Sequence, residues 1–340
     1  MSDVSRGDDP PYPPMRARGS AFPGDAPGPP GDGNGHAVPE LSPAVRAALD
    51  AGRPVVALES TIISHGLPRP SNLAAARSFE DLLLSAGVTP ATIALVDGVP
   101  KVGLSAPELE RIALDESVVK VSSRDLGLAM AGKRTGGTTV AATSVLASLA
   151  RIRVFATGGL GGVHRGYAES FDESADLMVL GRTPITVVSA GVKSILDIPA
   201  TLERLETLGV AVVGFRTARF PAFYLTDSGQ DLDWRVDSAA EIASVMAARD
   251  SVGDRAALLV ANPLPAGQQM DPALHDSVLQ AALAAAAASG VRGKAVTPFL
   301  LDYMQRATGG ASVAVNLDVA RGNIALAGEI ATAWATCQAR

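Results

Sequence analysis

The chain has little of what builds disulfide scaffolds and metal cages. Of its 340 residues one is cysteine, Cys337, which excludes an intrachain disulfide framework and any zinc site made of several thiolates. The four histidines, His36, His65, His164 and His275, lie far apart and show no HxH or HxxxH spacing, so a histidine-rich metal site is not expected. A basic excess is missing as well. Against 29 Lys and Arg stand 35 Asp and Glu, a net charge of −6, which argues against a nucleic-acid-binding surface. A few local cations would still suffice for a small phosphorylated ligand. No apolar run reaches the roughly 18 residues that span a bilayer. The opening MSDVSRGDDP has neither the basic start nor the apolar stretch of a secretory signal. With a single thiol, the expectation is a cytoplasmic protein with no membrane and no nucleic-acid partner.

Hydrophobic residues make up 47% of the chain, enough to bury a sizeable core. They are unevenly spread. The first forty residues hold 9 Pro and 7 Gly and almost no bulky aliphatics, so residues 1–40 read as a disordered tail whose burial cannot offset its ordering entropy. From Leu41 onward short β-rich runs alternate with helical periods. PVVALE, TIALVDG, VVKVSS, VFATGG, PITVVSA, VAVVGF and ALLVANP read as strands; SNLAAARSFEDLLLSAG, APELERIAL, AEIASVMAARD and the alanine-rich stretch around 281–288 read as helices. The strands are nearly continuous in apolar residues, as in a sheet covered on both faces. The expected fold class is α/β, a sandwich of helix layers around a sheet, with residues 41–340 as one domain.

In such folds ligands collect at the carboxyl ends of strands, and that rule selects the candidates. Lys193, in VVSAGVKSILD, follows an apolar strand at what reads as the start of a helix. Desolvation there would favour the neutral, nucleophilic amine; a solvated loop lysine is the plain alternative. Glu59 ends PVVALE and is placed to pass a proton, or else to cap a helix or pair with a cation. SFDESADL gathers Asp172, Glu173 and Asp176 around Ser174, which suits either a hard divalent cation or an acid-rich helix start. Two glycine-rich turns, RTGGTTVAATS and TGGLGGVHRG, offer backbone amides to a phosphate, but neither is a Walker A motif nor a clean dinucleotide fingerprint. Lys120, in VVKVSSRD, is a strand lysine of the kind that meets a phosphate as a point charge.

Longer strings carry more. ALESTIISHGLPRPSN, GGTTVAAT, FATGGLGGVHRG, SFDESADL, SAGVKSILDIPATLERLETLGV, FPAFYLTDSG, ANPLP and AVNLDVARGNIALA, running from about Pro54 to Ala331, resemble the pseudouridine-5'-phosphate glycosidase family, which includes the indigoidine synthase A proteins. The resemblance implies a three-layer α/β/α sandwich with a mixed central sheet, a homotrimer, and a divalent ion, usually Mn²⁺, with Mg²⁺ as an alternative. It implies reversible cleavage of pseudouridine 5'-phosphate to uracil and ribose 5-phosphate. By position, Lys193 matches the lysine that bonds the sugar, Glu59 the proton donor and Asp172 the metal-associated aspartate. Ser174, Ala175 and Asp176 match a substrate-binding run, and Lys120 and Val140 match further substrate contacts. Thr157, His164 and Asn316 look like members of the same pocket, with Asn316 suited to a uracil edge. Lys120 and amides near Thr138 are the expected phosphate holders.

The chemistry accounts for the residue types. Ordinary glycosidases expel oxygen or nitrogen between two carboxylates, whereas here a carbon must leave. An amine bonded to C1′ can end as an imine while the carbon–carbon bond breaks, and an acid can protonate the uracil carbon. A phosphosugar aldolase working through a Schiff base, and a non-catalytic binder of phosphorylated nucleosides, share parts of this constellation.

Overall fold

Each buried strand sends alternate side chains into one of two helix layers. The structure, a computed structural model, describes residues 39–292 and 296–338; residues 1–38 of the expected tail lie outside the described residues. In strand order along the chain the elements are β1 (Glu40–Leu41), β2 (Val55–Leu58), β3 (Thr89–Val96), β4 (Val99–Val102), β5 (Val119–Val121) and β6 (Gly136–Thr138). They continue with β7 (Val154–Ala156), β8 (Thr186–Ser189), β9 (Ala211–Phe215), β10 (Arg235–Val236) and β11 (Leu258–Ala261). Val55, Ala57, Phe155, Val187 and Leu259 join one apolar cluster with helices Pro43–Asp50, Val140–Leu149, Ala175–Leu180 and Ile198–Thr207. Val56, Leu58, Val154, Val188, Leu258 and Val260 join the other, with helices Ser71–Ser85, Ala239–Ser251 and Ala311–Gln338. That two-sided burial is why the strands read as unbroken apolar runs.

The sheet runs β1-β4-β3-β2-β7-β8-β11-β9-β10, with β6 also beside β3, and β5 beside β6. From β2 through β10 the pairs are parallel. β3 changes partners midway. Thr89–Thr92 lie parallel to β2, whereas Ile93–Val96 lie antiparallel to β4, and Ala94 and Leu95 antiparallel to Gly137 and Gly136 of β6. The central sheet is therefore mixed and flanked by helices, the α/β/α sandwich expected. The hairpin from β3 to β4 turns on Asp97 and Gly98, both at positive φ (49° and 82°), the geometry that an Asp-Gly pair favours.

Helix starts follow ordinary capping chemistry. Thr139, Asp197, Ser238 and Asp271 each accept a first-turn amide N–H, and Pro199 and Pro272 occupy first-turn positions where a missing N–H costs nothing. No helix among the described residues is long and apolar enough to cross a membrane. Phe155, in the middle of β7, is fully buried. Phe155→Ala is expected to lower stability by about 3–5 kcal/mol in equilibrium urea unfolding; an unchanged midpoint would show that the layer repacks.

Candidate active site

β2, β7, β8 and β11 are neighbours and parallel, so the chain leaves all four at one edge of the sheet. Glu59 follows β2 directly. One of its oxygens accepts the Thr157 hydroxyl at the end of β7, the other the Thr61 hydroxyl. The carboxyl group is thus held by two neutral donors, and among the described residues it neither caps a helix nor pairs with a cation. Thr157 is itself pinned. Asn323, 1% exposed on helix Ala311–Gln338, donates both Nδ2 hydrogens, to the carbonyls of Thr157 (2.8 Å) and Gly158 (3.1 Å). Its Oδ1 accepts from Nδ2 of Asn262, just past β11, at 3.0 Å. Sequence reasoning missed Thr61, Asn262 and Asn323; the available signal was a carboxamide set in otherwise apolar strings.

Asp176 ties two loops together. It is buried, and its oxygens accept the amide N–H of Ala141 at 2.9 Å and of Gly161 at 2.9 Å. Ala141 lies in the first turn of helix Val140–Leu149, where a carboxylate is favoured by the exposed amides. Gly161 lies in the turn TGGLGG, and only glycine permits this approach: a Cβ there would sit 2.8 Å from Asp176 Oδ2 and nearer still to Ser174 Oγ. Ser174 Oγ accepts the Asp176 amide at 3.2 Å and caps helix Ala175–Leu180.

These contacts correct three expectations. The glycine-rich turn 157–162 is a close-packing device rather than an open phosphate cradle, since a Cβ at Gly159 would run into Phe223, one at Gly161 into Ser174 and Asp176, and one at Gly162 into Thr201. Thr138 is fully buried; its amide donates to Ser60 Oγ (2.8 Å) and its hydroxyl to the Ile93 carbonyl (2.6 Å), so it holds the framework together. With the Thr139 amide on Val121 and the Ala141 amide on Asp176, the Val140 amide is left as the donor of that turn with no protein acceptor among the described residues. Lys193 is not at a helix start. The helix begins at Ile198 with Asp197 as its cap, because Pro199 and the Asp197 carboxylate fix the first turn there. Lys193 instead occupies a turn whose amide donates to the Leu160 carbonyl at 3.1 Å.

Four ionisable groups converge. Burial pushes the Lys120 ammonium below its ordinary range, and the Lys193 charge pushes it further; Asp176 and Glu59 oppose that shift. Lys120 nevertheless remains exposed to solvent on β5. His65, also missed in the sequence, lies beside it. Burial lowers the imidazole's pKa first, followed by the charges of Lys120 and Arg69, and its Nδ1 meets Ser64 Oγ at 2.7 Å. Asn316 belongs to the same edge: its Oδ1 is buried without a hydrogen-bond partner, and a Cβ on Gly158 would lie 3.3 Å from it. An orphan acceptor of this kind awaits a donor.

The acids of SFDESADL do not act together. Glu173 pairs with Arg204 at 2.9 and 3.0 Å, Asp176 takes the two amides, and Asp172 acts on His164, whose amide donates to the Asp172 carbonyl at 3.0 Å. Burial lowers the His164 pKa while the Asp172 charge raises it, with burial the larger cause. No group of three His, Cys, Asp or Glu side chains that could cage a metal occurs among the described residues. A single carboxylate, Asp172, with an imidazole beside it, still suits a hard cation that keeps most of its water.

Comparison with known proteins gives a consistent picture. A family model described as "Indigoidine synthase A like protein" matches residues 44–333. The chain is 62% identical over 295 residues to a pseudouridine-5'-phosphate glycosidase of Frankia alni, covering 87% of this chain and 82% of that protein. It is 59% identical over 298 residues to one of Saccharopolyspora erythraea, covering 88% and 98%. Among solved structures it is similar to the prealnumycin C-glycosynthase AlnA in complex with ribulose 5-phosphate, with TM-score 0.83 and 37% identity over 89% of this chain and 98% of that one. An indigoidine synthase A-like protein of Thermotoga maritima superposes with TM-score 0.79 at 34% identity, covering 87% and 96%.

Two expectations follow from the geometry. Gly161→Ala should displace the Asp176 carboxylate and cut turnover of the bound ligand roughly tenfold or more, while wild-type activity would show that the two loops do not depend on that approach. Lys120 has a lower pKa folded than unfolded, so its charged form costs stability below the folded value, and the cost fades as pH rises through that value toward about 10. Lys120→Met is therefore expected to raise the melting temperature at neutral pH, with the gain shrinking toward alkaline pH. The same change should raise the His65 pKa toward its ordinary range, read by NMR of the imidazole protons.

Proposed function

The chain belongs to the indigoidine synthase A like family, and on that premise we propose that it cleaves the C-glycosidic bond of pseudouridine 5'-phosphate, reversibly, to give uracil and ribose 5-phosphate. The observation that carries the reading is the gathering of Lys193, Lys120, Glu59 and Asp176 at one sheet edge. The supply of one amine, one carboxyl group and one fixed cation is the minimum that breaking a carbon–carbon glycosidic bond requires. The neighbouring C-glycosynthase, bound to a phosphorylated pentulose, makes a bond of the same kind.

In this reading Lys120 and the Val140 amide hold the 5'-phosphate, with Ser174 and Ala175 beside it, and the Asn316 carbonyl accepts an N–H of the uracil edge. The Lys193 amine bonds C1′ as the C1′–O4′ bond breaks, and the ring oxygen takes up the proton that the nitrogen gives up, which leaves the nitrogen a free pair. Glu59, oriented by Thr157 and Thr61, delivers a proton to uracil C5. The C1′–C5 bond then breaks, its electrons settling on the uracil while the lysine nitrogen's pair forms the C=N bond. Water adds to that imine and releases ribose 5-phosphate, regenerating the amine. Asp172, with His164 at its side, would hold a divalent ion such as Mn²⁺, whose charge offsets that of the phosphate when it is bound. The homotrimer implied by the resemblance belongs to the same proposal and is read by sedimentation.

Incubation with pseudouridine 5'-phosphate and Mn²⁺ is expected to liberate uracil, followed by chromatography. A phosphosugar aldolase or a non-catalytic binder would release none. Borohydride added during turnover should fix the pentose on Lys193, and a mass spectrum that places it on another residue removes Lys193 from the role. Glu59→Gln should keep ligand affinity and slow bond cleavage by roughly 10²-fold or more. Full activity after chelation, with no gain on adding metal, would contradict the role given to Asp172.

A further inference from the structure

The turn that carries Lys193 has no regular secondary structure, so its position depends on individual pins. Three are backbone contacts from the glycine-rich loop and the turn itself. The Lys193 amide donates to Leu160, the Asp197 amide to Val163 (2.9 Å), and the Leu196 amide to Lys193 (2.9 Å). The Arg165 guanidinium reaches the carbonyls of Ser194 and Ile195 at 3.4 and 3.3 Å. A further pin is of a different kind. Ser194, next to Lys193 and 3% exposed, meets Nε2 of His275 at 2.8 Å, across 81 residues of sequence. His275 is equally buried, on helix Pro272–Ala288, and its Nδ1 lies 3.0 Å from Asp276. The carboxylate selects the tautomer with the proton on Nδ1, which leaves Nε2 to accept the Ser194 hydroxyl proton.

We infer that His275 is a positioning residue for the lysine: through Ser194 it fixes the backbone from which the Lys193 side chain reaches the sugar. The inference rests on the proposed role of Lys193 and extends it. A buried imidazole and a buried hydroxyl that satisfy each other are conspicuous where apolar side chains from the same helix, Val278, Leu279 and Ala282, fill the core. An apolar pair would pack there without needing a partner. A polar pair holds the turn in one geometry, because any shift of Ser194 leaves two buried polar atoms unpaired. The amine adds to C1′ only from a near-attack position, and a displacement of about 1 Å costs up to about a hundredfold in rate. The substrate's phosphate and base are held elsewhere, by Lys120, Val140 and Asn316, so disturbing this pin should change kcat and leave KM nearly unchanged.

The test compares borohydride trapping rates and steady-state kinetics on pseudouridine 5'-phosphate in full-length wild type, Ser194→Ala, His275→Leu and His275→Gln. Ser194→Ala and His275→Leu should each lower kcat and the rate of adduct formation on Lys193 by roughly tenfold or more, with KM within about twofold of wild type. His275→Gln, whose amide oxygen can still accept from Ser194, should restore most of the lost rate. Should His275→Leu fail to fold, Ser194→Ala decides alone, since it removes one oxygen and leaves the packing in place. Wild-type trapping rates in Ser194→Ala overturn the inference, as does a loss that appears in KM rather than kcat. If the wild type itself traps no adduct on Lys193, the reading of the lysine has failed, which the control lane distinguishes from failure of the positioning role.

Discussion

The site depends on one buried carboxylate. Asp176 accepts an amide from the start of helix Val140–Leu149 and another from the turn after β7. Charge-assisted hydrogen bonds to two backbone donors are strong where water is scarce. Each donor belongs to a different loop, so the carboxylate fixes the distance between the Val140 amide on one side and the segment Thr157–Gly162 on the other. It also stands close enough to Lys120 to offset part of what burial and Lys193 do to that ammonium. An amide side chain in its place would lose the charge and present a hydrogen where one of the two backbone hydrogens already points.

Around that pin the electrostatics are arranged as an opposition. Lys120 and Lys193 lie near enough to repel, and two carboxylates, Glu59 and Asp176, offset that repulsion at Lys120. Cations crowded in this way are ready for a phosphorylated ligand, whose arrival relieves the repulsion. A polar residue without charge at 120 would not supply that repulsion.

The parallel half of the fold was legible because burial on both faces leaves unbroken apolar runs, as in PVVALE and ALLVANP. The antiparallel part was not. β6 is Gly-Gly-Thr, a composition that argues against a strand, and it forms because Gly136 lies against Val119 and Val121, and Gly137 against Ser60 and Ser64. The β4 hairpin did carry its sign in Asp97-Gly98. At the site, family likeness and strand-end position singled out Lys193, Glu59 and Asp176, whose side chains are charged. The hydrogen-bonding supports escaped notice: Asn323, Asn262 and Thr61 are neutral and act by touching backbone or another side chain across long stretches of sequence. The sequence around Lys193 reads as a helix start because its surroundings are helix-forming, whereas the cap set by Asp197 and Pro199 lies four residues further on.

The long helix Ala311–Gln338 comes late in the chain yet carries Asn316 and Asn323 into the middle of the sheet edge. During synthesis on the ribosome, Glu59, Lys120, Thr157 and Lys193 all emerge before it. Until the helix docks, the carbonyls of Thr157 and Gly158 lack their clamp, and the hydroxyl that orients Glu59 rides on a loose turn. On the proposed roles, Lys193 is thus made early and the support of Glu59 arrives late. A nascent or cut chain that lacks this helix carries Lys193 and Glu59 without the clamp that orders the turn at Thr157 and Gly158.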